Sequence, residues 1–319
     1  MCGKKECNNT QFPEEWIAST VRAFNPGRED IIEGPSICQD GRTLKEIIDV
    51  NPRSFLGKKQ YEKYGNDLSI LVKLLDSAER LFIQCHPTIS FAKKYFNSDF
   101  GKTECWYILS AQDNACVYIG FKPEITKEKW KQCFENQDIE GMLSLMHKLS
   151  VKKGDLIFVD GGVPHAIGGG CLLCELQEPT DYMVIPERAS KSGITLSDRK
   201  MHGGLGFDKM MDCFVYCGLT ESELKKQYYR HPNLVKNRTV SIVDSKITDK
   251  FSMECLQLSG EYNADFGDTY VVGVVTDGRC TVDTENITWQ LESGKSFIIS
   301  TNNGPIKFSG NAEIVFCRP

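Results

Sequence analysis

Along most of this chain, apolar residues come in short runs broken by polar turns, the spacing of strands rather than of long helices. Leu68 to Leu75 and Leu81 to His86 are two such runs either side of Asp76-Ser77-Ala78-Glu79, and they predict a hairpin. Thr103 to Leu109 and Ala115 to Gly120 flank the polar turn 111–114 and predict two more strands. Leu156 to Val159, Cys171 to Leu176, Tyr182 to Ile185 and Phe214 to Leu219 continue the pattern. A first strand is expected around Trp16, within Glu14 to Phe24. Helices are expected in three places. Thr43 with Glu46 three residues on has the form of a capping box before a short helix. Thr88 to Phe96 reads as helical. Ile125 to Leu149 reads as one long charged helix, with Trp130, Phe134, Ile139, Met142 and Leu145 at roughly helical spacing. A short helix is expected near His202 to Cys213, and 222–235 reads as a polar crossing segment. Residues 25–43 read as loop, and Met1 to Gln11 as disordered or extended.

From Arg238 onward the chain is short strands separated by turns at Asp277-Gly278, Ser293-Gly294 and Asn303-Gly304-Pro305, an all-β unit. A loose internal repeat links it to the first part. Lys153-Gly154-Asp155-Leu156-Ile157-Phe158-Val159 resembles Ser293-Gly294-Lys295-Ser296-Phe297-Ile298-Ile299, each a turn glycine feeding an apolar strand. Two related barrels would produce this.

Bulk properties narrow the function. The 319 residues carry 38 basic and 43 acidic side chains, a net charge of −5 that opposes sequence-independent binding to nucleic acid. No run of apolar residues is long enough to span a membrane, and the polar start lacks the apolar core of a signal peptide. A cytoplasmic location is expected. The 14 cysteines then read as buried free thiols, not as disulfides. Cys171 and Cys174 form a CxxC inside an apolar run with no second pair at zinc-ribbon spacing, which argues against a thiolate site.

The chemical signal lies elsewhere. On a strand, Gln84 and His86 share one face while Cys85 points away. Glu104 sits in the strand Thr103-Glu104-Cys105-Trp106-Tyr107, where an unpaired carboxylate is costly and calls for a cation. His165 ends a strand in Gly161-Gly162-Val163-Pro164-His165. Residues from separate hairpins converge inside an antiparallel barrel, so these four can meet around a metal. Imidazole nitrogens, a carboxylate and a neutral amide oxygen are donors that a divalent cation accepts. No histidine follows His231, so one metal centre per chain is expected.

The runs Leu81-Phe82-Ile83-Gln84-Cys85-His86-Pro87, Gly101-Lys102-Thr103-Glu104-Cys105-Trp106-Tyr107 and Val163-Pro164-His165-Ala166-Ile167-Gly168 resemble type I mannose-6-phosphate isomerases in content and order. The resemblance implies a mainly β fold of two cupin-like, jelly-roll barrels with inserted helices. It implies that Gln84, His86, Glu104 and His165 bind one Zn²⁺, and that mannose 6-phosphate and fructose 6-phosphate interconvert through a cis-enediol. The corresponding division is an N-terminal segment 1–13, a metal-binding barrel with a helical insertion over 14–235, and a barrel without a metal over 236–319. The partner implied is a small sugar phosphate, with no nucleic acid or membrane, and the protein is expected to be a monomer or weak dimer.

Glu175 matches a family glutamate and is expected to work in acid–base transfer. Lys102 and Lys122 are candidates to meet the phosphate as point charges. One departure stands out: Met183 falls where the family has an arginine, and Arg188 is the candidate replacement. That departure keeps a second reading in play, a non-catalytic metal-binding cupin that binds or senses sugar phosphates. An iron cupin oxygenase is disfavoured by the neutral Gln84 and the absence of a His-x-His pair.

Overall fold

A computed structural model describes residues 14–23, 31–38, 40–285, 287–301 and 303–319; the expected N-terminal segment 1–13 lies outside them. Fifteen strands carry the described part. The first nine are β1 (Glu14–Ile17), β2 (Leu71–Ser77), β3 (Glu104–Ala111), β4 (Cys116–Phe121), β5 (Met146–Ser150), β6 (Leu156–Val159), β7 (His165–Ile167), β8 (Cys171–Gln177) and β9 (Tyr229–Arg230). The last six are β10 (Thr239–Val243), β11 (Ser252–Ala264), β12 (Val271–Asp283), β13 (Thr288–Glu292), β14 (Ser296–Ile299) and β15 (Ile306–Arg318).

These form three antiparallel sheets: β1-β2-β8-β3-β6-β9, β5-β4-β7, and β10-β11-β15-β12-β13 with β14 also on β12. The fold is therefore mainly β, as expected. The ladders do not close into barrels among the described residues; the first unit is two layers. Val117, Ile119, Leu149 and Ile167 of the smaller layer share one core with Ile108, Leu156, Leu173 and Leu176 of the larger. The long C-terminal strands use both faces. Met253, Cys255, Val272, Val274, Val315 and Cys317 join that same core. Leu256, Leu258, Val271, Val275, Ile314 and Phe316, on the alternate face, form a second one.

The internal repeat is real in three dimensions. The order β1-β2-β8-β3-β6 has the same pairing as β10-β11-β15-β12-β14. Gly154 and Gly294 both take left-handed backbone angles, φ 89° and 83°, which glycine adopts without strain. Each donates its N–H to a carbonyl of the central strand, Ile108 O and Val275 O, both at 2.8 Å. Both acceptors sit where the register shifts, between Ile108 and Ser110 and between Val275 and Asp277. This superposition places Val271 where the first unit has Glu104, and Phe316 where it has Glu175.

Several expectations shift. Thr43 does cap a helix, Leu44–Val50, through a full capping box with Glu46, and Thr88 caps Ile89–Phe96. The segment 81–86 does not pair with β2, which runs between β1 and β8. It makes only two bridges, Gln84 to His165 and Cys85 to Val184. The long helix expected over 125–149 is two short ones, Lys127–Glu135 and Ile139–Ser144, followed by β5. Gln137 breaks it at φ 49° and Asp138 caps the second piece. Residues 214–219 form no strand beyond a bridge at Gly218. Glu221–Tyr228, expected as a crossing segment, is a helix capped by Thr220 and Glu223. Among the described residues, no helix is long and apolar enough to cross a membrane.

Candidate metal centre

Three elements bring the site together. Glu104 opens β3, paired to Val159 on one side and Gln177 on the other, so it lies at one end of the larger sheet. His165 opens β7 after the turn 160–164. His86 follows the bridge from Gln84 to His165, closed by two backbone hydrogen bonds of 2.9 Å. Two glycines let the His86 segment nest between loops. A Cβ at Gly101 or Gly161 would lie 2.7 or 2.6 Å from the Pro87 carbonyl oxygen.

His86, Glu104 and His165 are buried to 1%, 1% and 0% exposure. Their ligand atoms lie within 4.8 Å of one another. His86 Nε2 is 3.1 Å from Glu104 Oε2, and His165 Nε2 is 3.3 Å from Glu104 Oε1. Both rings are oriented from behind. His86 Nδ1 donates to the Tyr182 carbonyl and His165 Nδ1 to that of Val163, each at 2.9 Å. A carbonyl only accepts, so the proton of each neutral ring sits on Nδ1, and each Nε2 turns a lone pair inward. Trp106 Nε1 donates to Glu104 Oε1 at 3.1 Å. Glu104 Oε2 and His165 Nε2 have no hydrogen-bond partner.

Lone pairs facing a carboxylate in a buried site are unfavourable unless a cation lies between them. Metal–ligand bonds of about 2.0–2.2 Å in tetrahedral geometry put ligand atoms about 3.3–3.6 Å apart. The two observed separations are close to that. The donor set therefore fits zinc. Gln84 is half-buried and stands directly opposite His165 in register, which puts both side chains on one face.

Electrostatics agree. Burial and then the Lys102 ammonium push the His86 imidazole down to about 3, against the pull of Glu104. Burial likewise lowers His165. Both are neutral at pH 7, as metal ligation requires. Burial pushes the Glu104 carboxyl up, but His86, Lys102 and His165 outweigh it in the acid range, where the imidazoles are charged, and hold it below the ordinary range.

Lys102 belongs to the site. It is buried, with Nζ 2.9 Å from His86 Nε2 and 3.5 Å from Glu104 Oε2. Glu175 does too. It lies opposite Trp106 on β3 and opposite Lys73 on β2, sharing the face that carries Glu104. Burial and then the Glu104 charge push its carboxyl up to about 7, against Lys73 and Lys102.

Lys73 went unnoticed in the sequence. It is 2% exposed, 3.4 Å from Glu175, 3.2 Å from Glu14, and over the Trp16 ring at 4.9 Å. Burial works against its charge, but Glu14 and Glu175 raise it. The signal was present: a lysine at the centre of Leu71-Val72-Lys73-Leu74-Leu75 is as costly as Glu104 in its own strand.

Two candidates lie elsewhere. Lys122 donates to the Ser144 carbonyl at 2.7 Å, closing a helix end instead of facing the site. Arg188 is exposed, 2.6 Å from Asp198 and over the Phe207 ring. Its neighbour Glu187 is the inward residue, buried and bonded to Arg80 and to the Ile83 N–H. Arg188 is thus held in a surface ion pair and makes no hydrogen bond or ion pair with His86, Glu104 or His165. Arg188→Ala is expected to leave turnover within about twofold of wild type. Stability should fall by at most about 1 kcal/mol, the scale of an exposed ion pair. Steady-state kinetics and a denaturant melt check both.

Fold and donor set together define a cupin-type protein with a carboxylate–imidazole metal site. The chain belongs to the type I mannose-6-phosphate isomerase family. Residues 32–137 match the model of the type I phosphomannose isomerase catalytic domain, and 242–319 that of the mannose-6-phosphate isomerase cupin domain. It is 29% identical over 302 residues to a probable mannose-6-phosphate isomerase of Bacillus subtilis, covering 94% of this chain and 88% of that one. It is 34% identical over 134 residues to the mannose-6-phosphate isomerase of Streptococcus mutans, 41% of each chain. The crystal structure of a Bacillus subtilis mannose 6-phosphate isomerase shares the fold, with a TM-score of 0.73 at 22% identity over 96% of this chain and 90% of that one. A mannose 6-phosphate isomerase bound with zinc and yttrium shares it at 0.65 and 15%, over 87% and 85%.

Proposed function

We propose that this chain interconverts mannose 6-phosphate and fructose 6-phosphate through a cis-enediol, with one zinc held by His86, Glu104, His165 and Gln84. The observation that carries the reading is the convergence of two inward-facing imidazole nitrogens and the Glu104 carboxylate in a buried cluster beside Glu175. The structure of one mannose 6-phosphate isomerase of the same fold, bound with zinc and yttrium, supports the metal. A single zinc per chain is supported by the repeat, since Val271 and Phe316 stand where a second site would need Glu104 and Glu175.

The reaction moves a proton between the first two sugar carbons. Zinc, when bound, supplies positive charge beside the sugar oxygens that become negative. Glu175 is the proton carrier: burial raises its carboxyl above the ordinary carboxylate range, toward the pH at which it both takes and returns a proton. Lys73 holds it in place, and is itself held by Glu14 and the Trp16 ring. Lys102 presents an ammonium to the substrate. The buried walls keep water from the enediol.

The domain division near 235/236 fits the helix end at Tyr228 and the start of β10 at Thr239. A reducing, cytoplasmic setting fits the twelve described cysteines, all free thiols. A coupled isomerase assay before and after chelation tests the whole. Activity is expected to vanish with the metal and to return with zinc. Bound zinc with no turnover on any hexose phosphate would instead favour a binding protein.

A further inference from the structure

The C-terminal unit has no histidine and no donor set of its own among the described residues. It nevertheless reaches the metal centre at one point. Lys250, just before β11, donates to Thr103 Oγ1 and lies 3.3 Å from Glu178 Oε2. Glu178 is 2% exposed. Its carboxylate spans the loop that carries Lys102: Gly101 N–H donates to Oε1 at 3.2 Å and Thr103 N–H to Oε2 at 2.9 Å. The loop is tied at two further points. Glu178 N–H donates to the Thr103 carbonyl at 3.0 Å, and Thr180 Oγ1 to that of Gly101 at 2.7 Å. Between these ties sits Lys102, with its Nζ on His86 and Glu104.

We propose that Lys250 is a positioning residue through which the C-terminal unit sets the active-site loop. It neutralises the buried Glu178 carboxylate and pins Thr103, so that Lys102 and Glu104 on either side of Thr103 hold their places. A buried carboxylate that loses its salt-bridge partner is destabilised, and the loop it clasps relaxes with it. The role deepens the isomerase reading and rests on it. The lysine itself is 24% exposed, so its replacement leaves the core intact.

The test is Lys250→Met in the full chain, alongside Lys250→Arg and Glu178→Gln. In Lys250→Met, kcat is expected to fall about tenfold with KM little changed, on the scale of lost outer-shell support around a metal site. Amide exchange at Gly101 and Thr103 is expected to rise. Lys250→Arg, which keeps charge and donors, should restore most of the rate. The double variant Lys250→Met/Glu178→Gln should be no slower than the slower single, because the two act as one clasp. Unchanged exchange in Lys250→Met overturns the clasp. Raised exchange with a wild-type kcat overturns its positioning role. If the wild-type chain turns over no hexose phosphate, the isomerase reading falls by itself. The clasp is then judged on exchange and on the rate at which a chelator strips zinc, which Lys250→Met is expected to raise.

Discussion

Replacing His86 with alanine is expected to abolish both bound zinc and isomerase turnover. The loss should exceed the ~10- to 100-fold that follows removal of a group merely supporting a ligand, because one of the inward nitrogens disappears. It leaves Glu104 Oε2 facing Lys102 alone, 3.5 Å away. Lys102 then has a carboxylate partner without competition, and the pocket becomes an ordinary buried ion pair with no need of a metal. Metal analysis of purified protein reads the first effect and a coupled assay the second. Zinc at full stoichiometry in His86→Ala would remove this residue from the ligand set, and with it the geometry built on Glu104.

Glu175→Gln should cut kcat by about 10²- to 10⁴-fold, the range of a general acid–base group, with zinc retained. The pH profile carries the sharper test. An acid raised to about 7 gains its ionised, proton-accepting form as pH rises, so the rate climbs about tenfold per unit below that value and levels above it. Part of the elevation comes from the Glu104 charge, which a bound cation offsets. In zinc-loaded protein the limb therefore lies between the ordinary 4.5 and 7. Glu175→Gln should flatten it. A variant that keeps the limb, or keeps the rate, would make Glu175 only the structural partner of Lys73.

How much of this was legible in the sequence depends on how local each signal is. The capping box at Thr43 and Glu46 needs only four consecutive residues, and it formed as read. Strands β3, β4, β6 and β8 were visible because alternating or continuous apolar runs bury themselves whatever their neighbours. His86, Glu104 and His165 were legible for a related reason. Each is a polar group within an apolar strand context, and the cost of burying it announces a partner. Lys73, in the centre of Leu71-Val72-Lys73-Leu74-Leu75, carries the same signal.

What the sequence by itself determined, then, are the apolar runs that become β3, β4, β6 and β8 and the donors that a metal needs. Pairing and direction were decided only by the tertiary structure. Residues 81–86 look like half of a hairpin, yet β2 takes β1 and β8 as neighbours and leaves that segment to bridge His165 and Val184. Arg188 and Lys122 read as plausible site cations, because a surface charge and a site charge are identical in one dimension. Only the fold turns Arg188 to Asp198 and Lys122 to Ser144, while bringing Lys250 from 147 residues away onto Thr103. The physical reason is that burial is a property of local composition, whereas partnership between distant segments is chosen by the packing of the whole chain.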